Sequence, residues 1–366
     1  MVLAMGVPNT MTIRRKTAVL AAMVSIGLLA GCTASRPDFV TPGAAPGAAP
    51  GAAPGAGPVV ERPDGADART VLEAFKRRGM VAHLEALQRV ADDNDGNRAS
   101  GTSGYEDSAR YVEEQLRAAG YAPVRQTFTY RRDGDRVESF NILADTEGSA
   151  ENTIVVGGHL DSVHNGPGIN DNGSGVAAIL ETARWMKETG IKPANRVRFA
   201  FWSAEEDDLD GARHFVSELT AAEIRRTPVY LNVDMVASPN GVRSFHDGDG
   251  SDFGHAGPAG SKEIEDVFRG FFQETSLPAE SAVFEGGSDY EPFVKAGIPS
   301  GGLFSGDVEP KTKAQVRAYG GVAGKDLDSC YHKACDTIKN TNPELLKEMS
   351  GALAYATVSY AMAKQG

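Results

Sequence analysis

The chain has 366 residues, 41% hydrophobic and 23% charged, a balance that excludes a fibrous or wholly disordered protein. Its formal net charge is −12, which argues against sequence-independent binding to nucleic acid, since that needs clustered Lys and Arg.

The chain begins with a segment that reads as an address. From Met11 to Cys32 it runs MTIRRKTAVLAAMVSIGLLAGC, with Arg14, Arg15 and Lys16 ahead of an apolar run from Thr17 to Leu28. That run is too short to span a bilayer, which takes about 20 residues, and it suits a signal peptide. Leu29-Ala30-Gly31-Cys32 resembles a bacterial lipoprotein cleavage box, which implies a lipidated Cys32 at the start of the mature chain. The basic stretch after Met11 suggests that translation starts there. Thr41 to Pro58 repeats Pro-Gly-Ala-Ala and lacks side chains large enough for a core. The expected division is therefore a signal peptide over 1–31, a lipidated linker over 32–66 and a domain over 67–366. The expected location is extracytoplasmic, on the cell membrane.

Within the domain, apolar spacing predicts helices over Met80–Ala91 and Ser108–Ala119, separated by a turn-rich loop from Asn97 to Thr102. Strands are predicted at Val124–Tyr130, Phe140–Ala144 and Thr153–Gly158, followed by a helix over Ser174–Lys187 and a strand over Arg196–Ser203. Further strands are predicted at Val229–Val236 and Gly301–Phe304, with helices at Lys262–Thr275 and Pro343–Ala363. The alternation predicts helices on both faces of a sheet, and the opening hairpin strands make that sheet mixed.

Chemistry-bearing residues cluster where strands give way to loops. Val155-Val156-Gly157-Gly158-His159-Leu160-Asp161 ends an apolar strand in an imidazole and a carboxylate. Gly168-Ile169-Asn170-Asp171-Asn172-Gly173-Ser174-Gly175 presents a carboxylate just before a helix. Trp202-Ser203-Ala204-Glu205-Glu206 carries paired acids out of a buried strand, and Asn232-Val233-Asp234-Met235 interrupts another. Cys330-Tyr331-His332-Lys333-Ala334-Cys335 supplies a second imidazole between two cysteines. With Cys32 assigned to the lipid, a Cys330–Cys335 disulfide accounts for all three cysteines in an oxidising compartment. Imidazole and carboxylate donors suit zinc, and paired zinc ions are a known hydrolytic arrangement.

In their order these segments resemble the secreted bacterial di-zinc aminopeptidases of the aminopeptidase S and aminopeptidase Y type. The resemblance spans roughly Val81 to Ala363. It implies a single three-layer α/β/α zinc-peptidase domain with a mixed, mostly parallel central sheet, holding two zinc ions. It further implies that Asp171 bridges the ions, that His159 and Asp234 complete one, and that Glu206 and His332 complete the other. Glu205 would be the general base, reaching the water because neighbours in an extended segment point to opposite sides. Tyr331 would steady the oxyanion, and Asp161 would orient His159. Met235 and Phe304 match the family's apolar pocket, implying peptide substrates with a large hydrophobic first residue. A monomer is expected.

Departures from the family pattern qualify that expectation. Close relatives carry Gly-Arg-Ser-Asp near the pocket, where this chain has Gly286-Gly287-Ser288-Asp289, so substrate choice is open. The connection between Tyr130 and Asn152 is too short for an inserted protease-associated domain, and the last helix lacks the acids that bind calcium in some relatives. His83, His164, His214, His246 and His255 match no family ligand. Two other readings stand beside aminopeptidase: a related di-zinc exopeptidase of other end-specificity, and a non-catalytic peptide-binding lipoprotein.

Overall fold

The computed structural model describes residues 67–363. The signal segment, Cys32 and the linker up to residue 66 lie outside them.

Three helices open the domain: α1 (Ala68–Lys76), α2 (Met80–Asp93) and α3 (Ser103–Ala118). α3 begins five residues before the apolar spacing predicts, because the Thr102 side chain accepts from Tyr105 N and caps the extra turn. Its buried stripe of Tyr105, Ala109, Val112 and Leu116 follows helical spacing. Then come β1 (Val124–Arg132), β2 (Asp135–Asp145), β3 (Ser149–His159), α4 (Gly173–Glu188) and β4 (Asn195–Trp202). The sequence also forms α5 (Asp210–Ser217), α6 (Ala221–Arg225), β5 (Val229–Val233), β6 (Ser244–His246), α7 (Ser261–Thr275) and β7 (Glu280–Ala282). α8 (Tyr290–Lys295), β8 (Ser300–Phe304), α9 (Lys313–Tyr319) and α10 (Pro343–Met362) complete the order. None of the described helices is long and apolar enough to cross a membrane.

The strands form one eight-stranded sheet in the order β1-β2-β4-β3-β5-β8-β6-β7. Its centre is parallel, with β3 between β4 and β5, and β8 beside β5. The β1–β2 hairpin joins it antiparallel to β4, with Ile142 opposite Phe201, and β6 runs antiparallel to β8. Alternate side chains along each central strand go to opposite faces. Ile154, Val156, Phe199, Phe201 and Leu231 pack into one core with α4, α7 and α10. Val155, Ala200, Trp202 and Tyr230 pack into the other, where the Tyr230 and Phe293 rings stack at 3.8 Å. Each fully buried Leu, Ile, Val or Phe contributes about 1.5–3 kcal/mol of burial free energy, so both faces need their helices. The result is a single α/β domain with a mixed sheet flanked by helices.

Candidate active site

β3, β4, β5 and β8 all end at one edge of the sheet; the chain crosses from β3 to β4 on one side and then returns to β5 on the other side of β3. Such a reversal of strand order opens a crevice beyond the strand ends. His159 is the last residue of β3, Asp234 follows β5 directly, and Phe304 ends β8. Glu205 and Glu206 lie just beyond β4, in a turn rather than the expected extended segment, because Asp208 N and Leu209 N both bond back to Glu205 O. Asp171 stands before α4, whose N-cap Asn172 accepts from Gly175 N. Its peptide bond to Asn172 is cis. His332 sits in the turn closed by the Cys330–Cys335 disulfide, whose Cα atoms are 5.3 Å apart.

The other four predicted ligand side chains gather around Asp171. His159 Nε2 lies 3.3 Å from Asp171 Oδ1 and 3.4 Å from Asp234 Oδ1. On the other side, His332 Nε2 lies 3.3 Å from Asp171 Oδ2 and 3.0 Å from Glu206 Oε2. Donors about 2.0–2.1 Å from a tetrahedral zinc are separated by roughly 3.3–3.4 Å, so this spacing fits two ions sharing Asp171. Glu205 also brings a carboxylate oxygen within 4.8 Å of His159 and Asp234 donors. Two buried oxygens of the set, Glu206 Oε1 and Asp234 Oδ1, have no hydrogen-bond donor. The four carboxylates carry four negative charges, which two divalent cations balance.

The electrostatics agree with that fit. Burial would raise the Asp171 carboxyl, but hydrogen bonds from His159 and His332 outweigh it and hold it far below its ordinary value. Burial, then repulsion from Asp171, pushes Glu206 up to about 7. Glu205 is also raised well above the carboxylate range, first by burial and then by Asp289, Glu206 and Asp234 against the opposing pull of His159. Acids packed this closely need cations among them to ionise together.

A surrounding layer orients the set. Ser288 Oγ donates to Asp234 Oδ2 at 2.7 Å and accepts from Asn232 Nδ2 at 3.0 Å. Asn232 Oδ1 in turn accepts from Tyr230 OH, which accepts from Trp202 Nε1. His159 Nδ1 lies 3.1 Å from the main-chain oxygen of Asp161 but 3.8 Å from its Oδ1. Asp161 thus meets the His159 ring through its main-chain oxygen, while its Oδ1 also accepts from Glu205 N at 3.3 Å. Asp336, buried, accepts from both Asn170 N and Asp171 N. Fully buried Arg98 donates to the carbonyls of Leu160, Pro167 and Gly168, pinning the loop between His159 and Asp171. Ala204 beside Glu205, Met235 beside Asp234, and His332 itself each adopt positive φ, strain that cores do not tolerate without a compensating role.

A cavity of about 320 Å³ opens on this centre, lined by Met235, Phe304 and Tyr331 as expected residues, and by Gly287. His246, Val283 and Tyr290 also line it. A larger hollow of about 650 Å³ beside Phe128 and His214 contains none of the ligand set, so size alone does not identify the site. Arg98, Asp336 and Ser288 escape sequence reasoning because each works through tertiary contacts that leave no periodic trace. Ser288, directly after the Gly286-Gly287 pair, carries the nearest signal.

Comparison with known proteins places this geometry. The model of Peptidase family M28 matches residues 141–357. The chain is 42% identical over 277 residues to leupeptin-inactivating enzyme 1 of Streptomyces exfoliatus, covering 75% of this chain and 60% of that protein. It is 46% identical over 223 residues to an aminopeptidase of Pseudomonas aeruginosa strain UCBPP-PA14, covering 61% and 41% respectively. The chain thus spans between 41% and 60% of the length of these relatives. Its fold matches a zinc aminopeptidase of Bacillus subtilis with a TM-score of 0.63 at 16% identity, over 82% of this chain and 96% of the other. With the matched region covering the whole candidate ligand set from His159 to His332, the chain belongs to peptidase family M28.

Proposed function

We propose that the chain is a di-zinc aminopeptidase that removes large hydrophobic residues from peptide N-termini, tethered outside the cytoplasm by a lipidated Cys32. The observation that carries this reading is the pair of imidazole nitrogens, each 3.3 Å from a different oxygen of Asp171. The Pseudomonas relative is itself an aminopeptidase and the Bacillus neighbour a zinc aminopeptidase, which supports the reaction and the metal.

His159, Asp171 and Asp234 would hold one ion and His332, Asp171 and Glu206 the other. When bound, the ions supply a Lewis acid for the scissile carbonyl and bring the pKa of water to about 7. Glu205, which is not needed as a ligand, takes the proton of the attacking water and returns it to the leaving amine. Tyr331 lines the cavity, and burial above all raises its hydroxyl, so it stays a phenol and donates to the developing oxyanion. Glu205 and Asp234 provide negative charge for the substrate's free ammonium group. Met235 and Phe304 offer apolar surface to its side chain. A C-terminal exopeptidase would need a cation to grip a carboxylate, and Gly287 lines the cavity at the position where the family resemblance implies Arg.

The test is hydrolysis of a leucyl amide and its N-acetylated form by purified protein, before and after chelation and zinc restoration. Leucyl amide should be cleaved at least about tenfold faster, equivalent to roughly 1.4 kcal/mol, with chelation abolishing turnover. Faster cleavage of the acetylated substrate would overturn the end-specificity. For the tether, Cys32→Ala should move the protein from the membrane to the soluble fraction.

A further inference from the structure

A second group of acids lies behind the wall of the substrate cavity, two on the loop that joins β6 to α7 and one on α7 itself. Donor oxygens of Asp247, Asp249 and Glu265 lie within 4.8 Å of one another. That limit is about twice a calcium–oxygen bond of roughly 2.3–2.6 Å, the span of two ligands across one ion. Asp249 is exposed, whereas Asp247 is fully buried and Glu265 is 3% exposed.

Asp247 supplies an independent observation. Its Oδ2 accepts from Asp252 N at 2.9 Å and from Phe253 N at 2.8 Å. Its Oδ1 is buried with no hydrogen-bond donor. An unpaired buried carboxylate oxygen costs several kcal/mol unless a cation or an ordered water completes it. Arg269 is the one cation paired within the group, at Glu265 Oε1, and Lys262 pairs with Asp266. Glu265 Oε2 accepts from Gly248 N at 2.9 Å, and Asp249 Oδ1 from Ser251 N at 2.9 Å, so both carboxylates are held in place. Three carboxylates against one guanidinium leave two negative charges.

The geometry points to a divalent cation site at Asp247, Asp249 and Glu265, selective for hard, oxygen-preferring ions of the calcium class. All three side-chain donors are carboxylate oxygens, with no imidazole or thiolate among them to favour zinc. The ion would tie the loop to the cavity wall. Asp247 directly follows His246, which lines the cavity and stacks on Phe284 at 5.1 Å. Gly257, further along the loop, approaches Phe284 so closely that a Cβ there would meet its ring at 2.6 Å. Calcium binding therefore stabilises the substrate pocket without taking part in the chemistry.

The experiment uses the full zinc-loaded chain in calcium-free buffer, titrated with calcium chloride by calorimetry and followed by thermal unfolding. Because it reads calcium binding and Tm, it is independent of peptidase activity. One site per chain is expected, with a Kd on the order of 0.1–1 mM, as in extracellular calcium modules. Saturation should raise Tm by about 3 °C or more. Asp249→Asn, at an exposed position, should keep the fold and weaken binding at least tenfold, and Asp247→Asn should abolish it. No saturable binding by the parent chain up to about 10 mM calcium would overturn the proposal, leaving only a water at Asp247 Oδ1. So would equal affinity in the parent and Asp249→Asn, which decides the matter even if Asp247→Asn fails to fold.

Discussion

Ser288 donates its hydroxyl hydrogen to Asp234 Oδ2 at 2.7 Å, which leaves Oδ1 of that carboxylate turned towards His159 Nε2 at 3.4 Å. Outer contacts of this kind orient a ligand before an ion arrives, and losing one typically costs 10–100-fold in metal affinity. Ser288→Ala should weaken the zinc held by His159 and Asp234 by about that factor in a chelator competition, while Ser288→Thr restores most of it. Unchanged affinity in Ser288→Ala, with circular dichroism showing an intact fold, would remove the positioning role.

Glu181 on α4 makes the fold's acid sensitivity predictable. Its carboxylate meets His83 Nε2 at 2.8 Å, Arg184 at 2.7 Å and the Arg78 guanidinium. Burial would raise its pKa, but hydrogen bonds from His83 and Arg78 and the charge of Arg78 lower it from 4.5 to about 2. Folding therefore favours the ionised form. That stability is fully present above about pH 4.5 and is lost as pH falls towards 2. The contribution at neutral pH is on the order of 3 kcal/mol. Glu181→Gln should lower stability by about 2–3 kcal/mol in urea unfolding at pH 7 and flatten its decline below pH 4.5. Parallel acid profiles for the two proteins would contradict this.

Gly287 lines the cavity with φ +87, and a Cβ built there meets nothing within 4 Å. Space therefore permits Arg at this position, but the left-handed backbone costs an L-residue about 1–2 kcal/mol. Gly287→Arg should retain its zinc, lose roughly that much stability and change KM for leucyl amide by more than threefold. Loss of zinc would mean that the turn supports the metal centre directly.

The parts of this molecule that sequence alone makes legible are those with local, repeated signals. The run Val155–Gly158 reads as a strand because every residue is small or apolar, and His159 stands out by ending it. β6 and β7, three residues each, and the short helices α5, α6, α8 and α9 carry too few residues for a period to register. The sequence alone puts Glu205 and Glu206 on an extended segment, yet the positive φ of Ala204 turns the chain there. Arg98 looks like an ordinary loop residue, and only folding brings the carbonyls of Leu160, Pro167 and Gly168 around it. Asp336, far from Asp171 in the chain, is legible only once the last loop folds back.

The central claim is that Asp171 joins two zinc ions while Glu205 moves protons without holding either. It is tested most directly by counting zinc and measuring leucyl amide turnover on the same preparations of the parent chain, Glu205→Ala and Asp171→Ala. The parent should hold two zinc ions per chain. Glu205→Ala should also hold two and lose about 10²–10⁴ in rate, the usual worth of general-base assistance. Asp171→Ala should retain at most one, because the carboxylate 3.3 Å from both imidazole nitrogens is gone. Two zinc ions in Asp171→Ala, or equal zinc loss in both variants, would contradict the account.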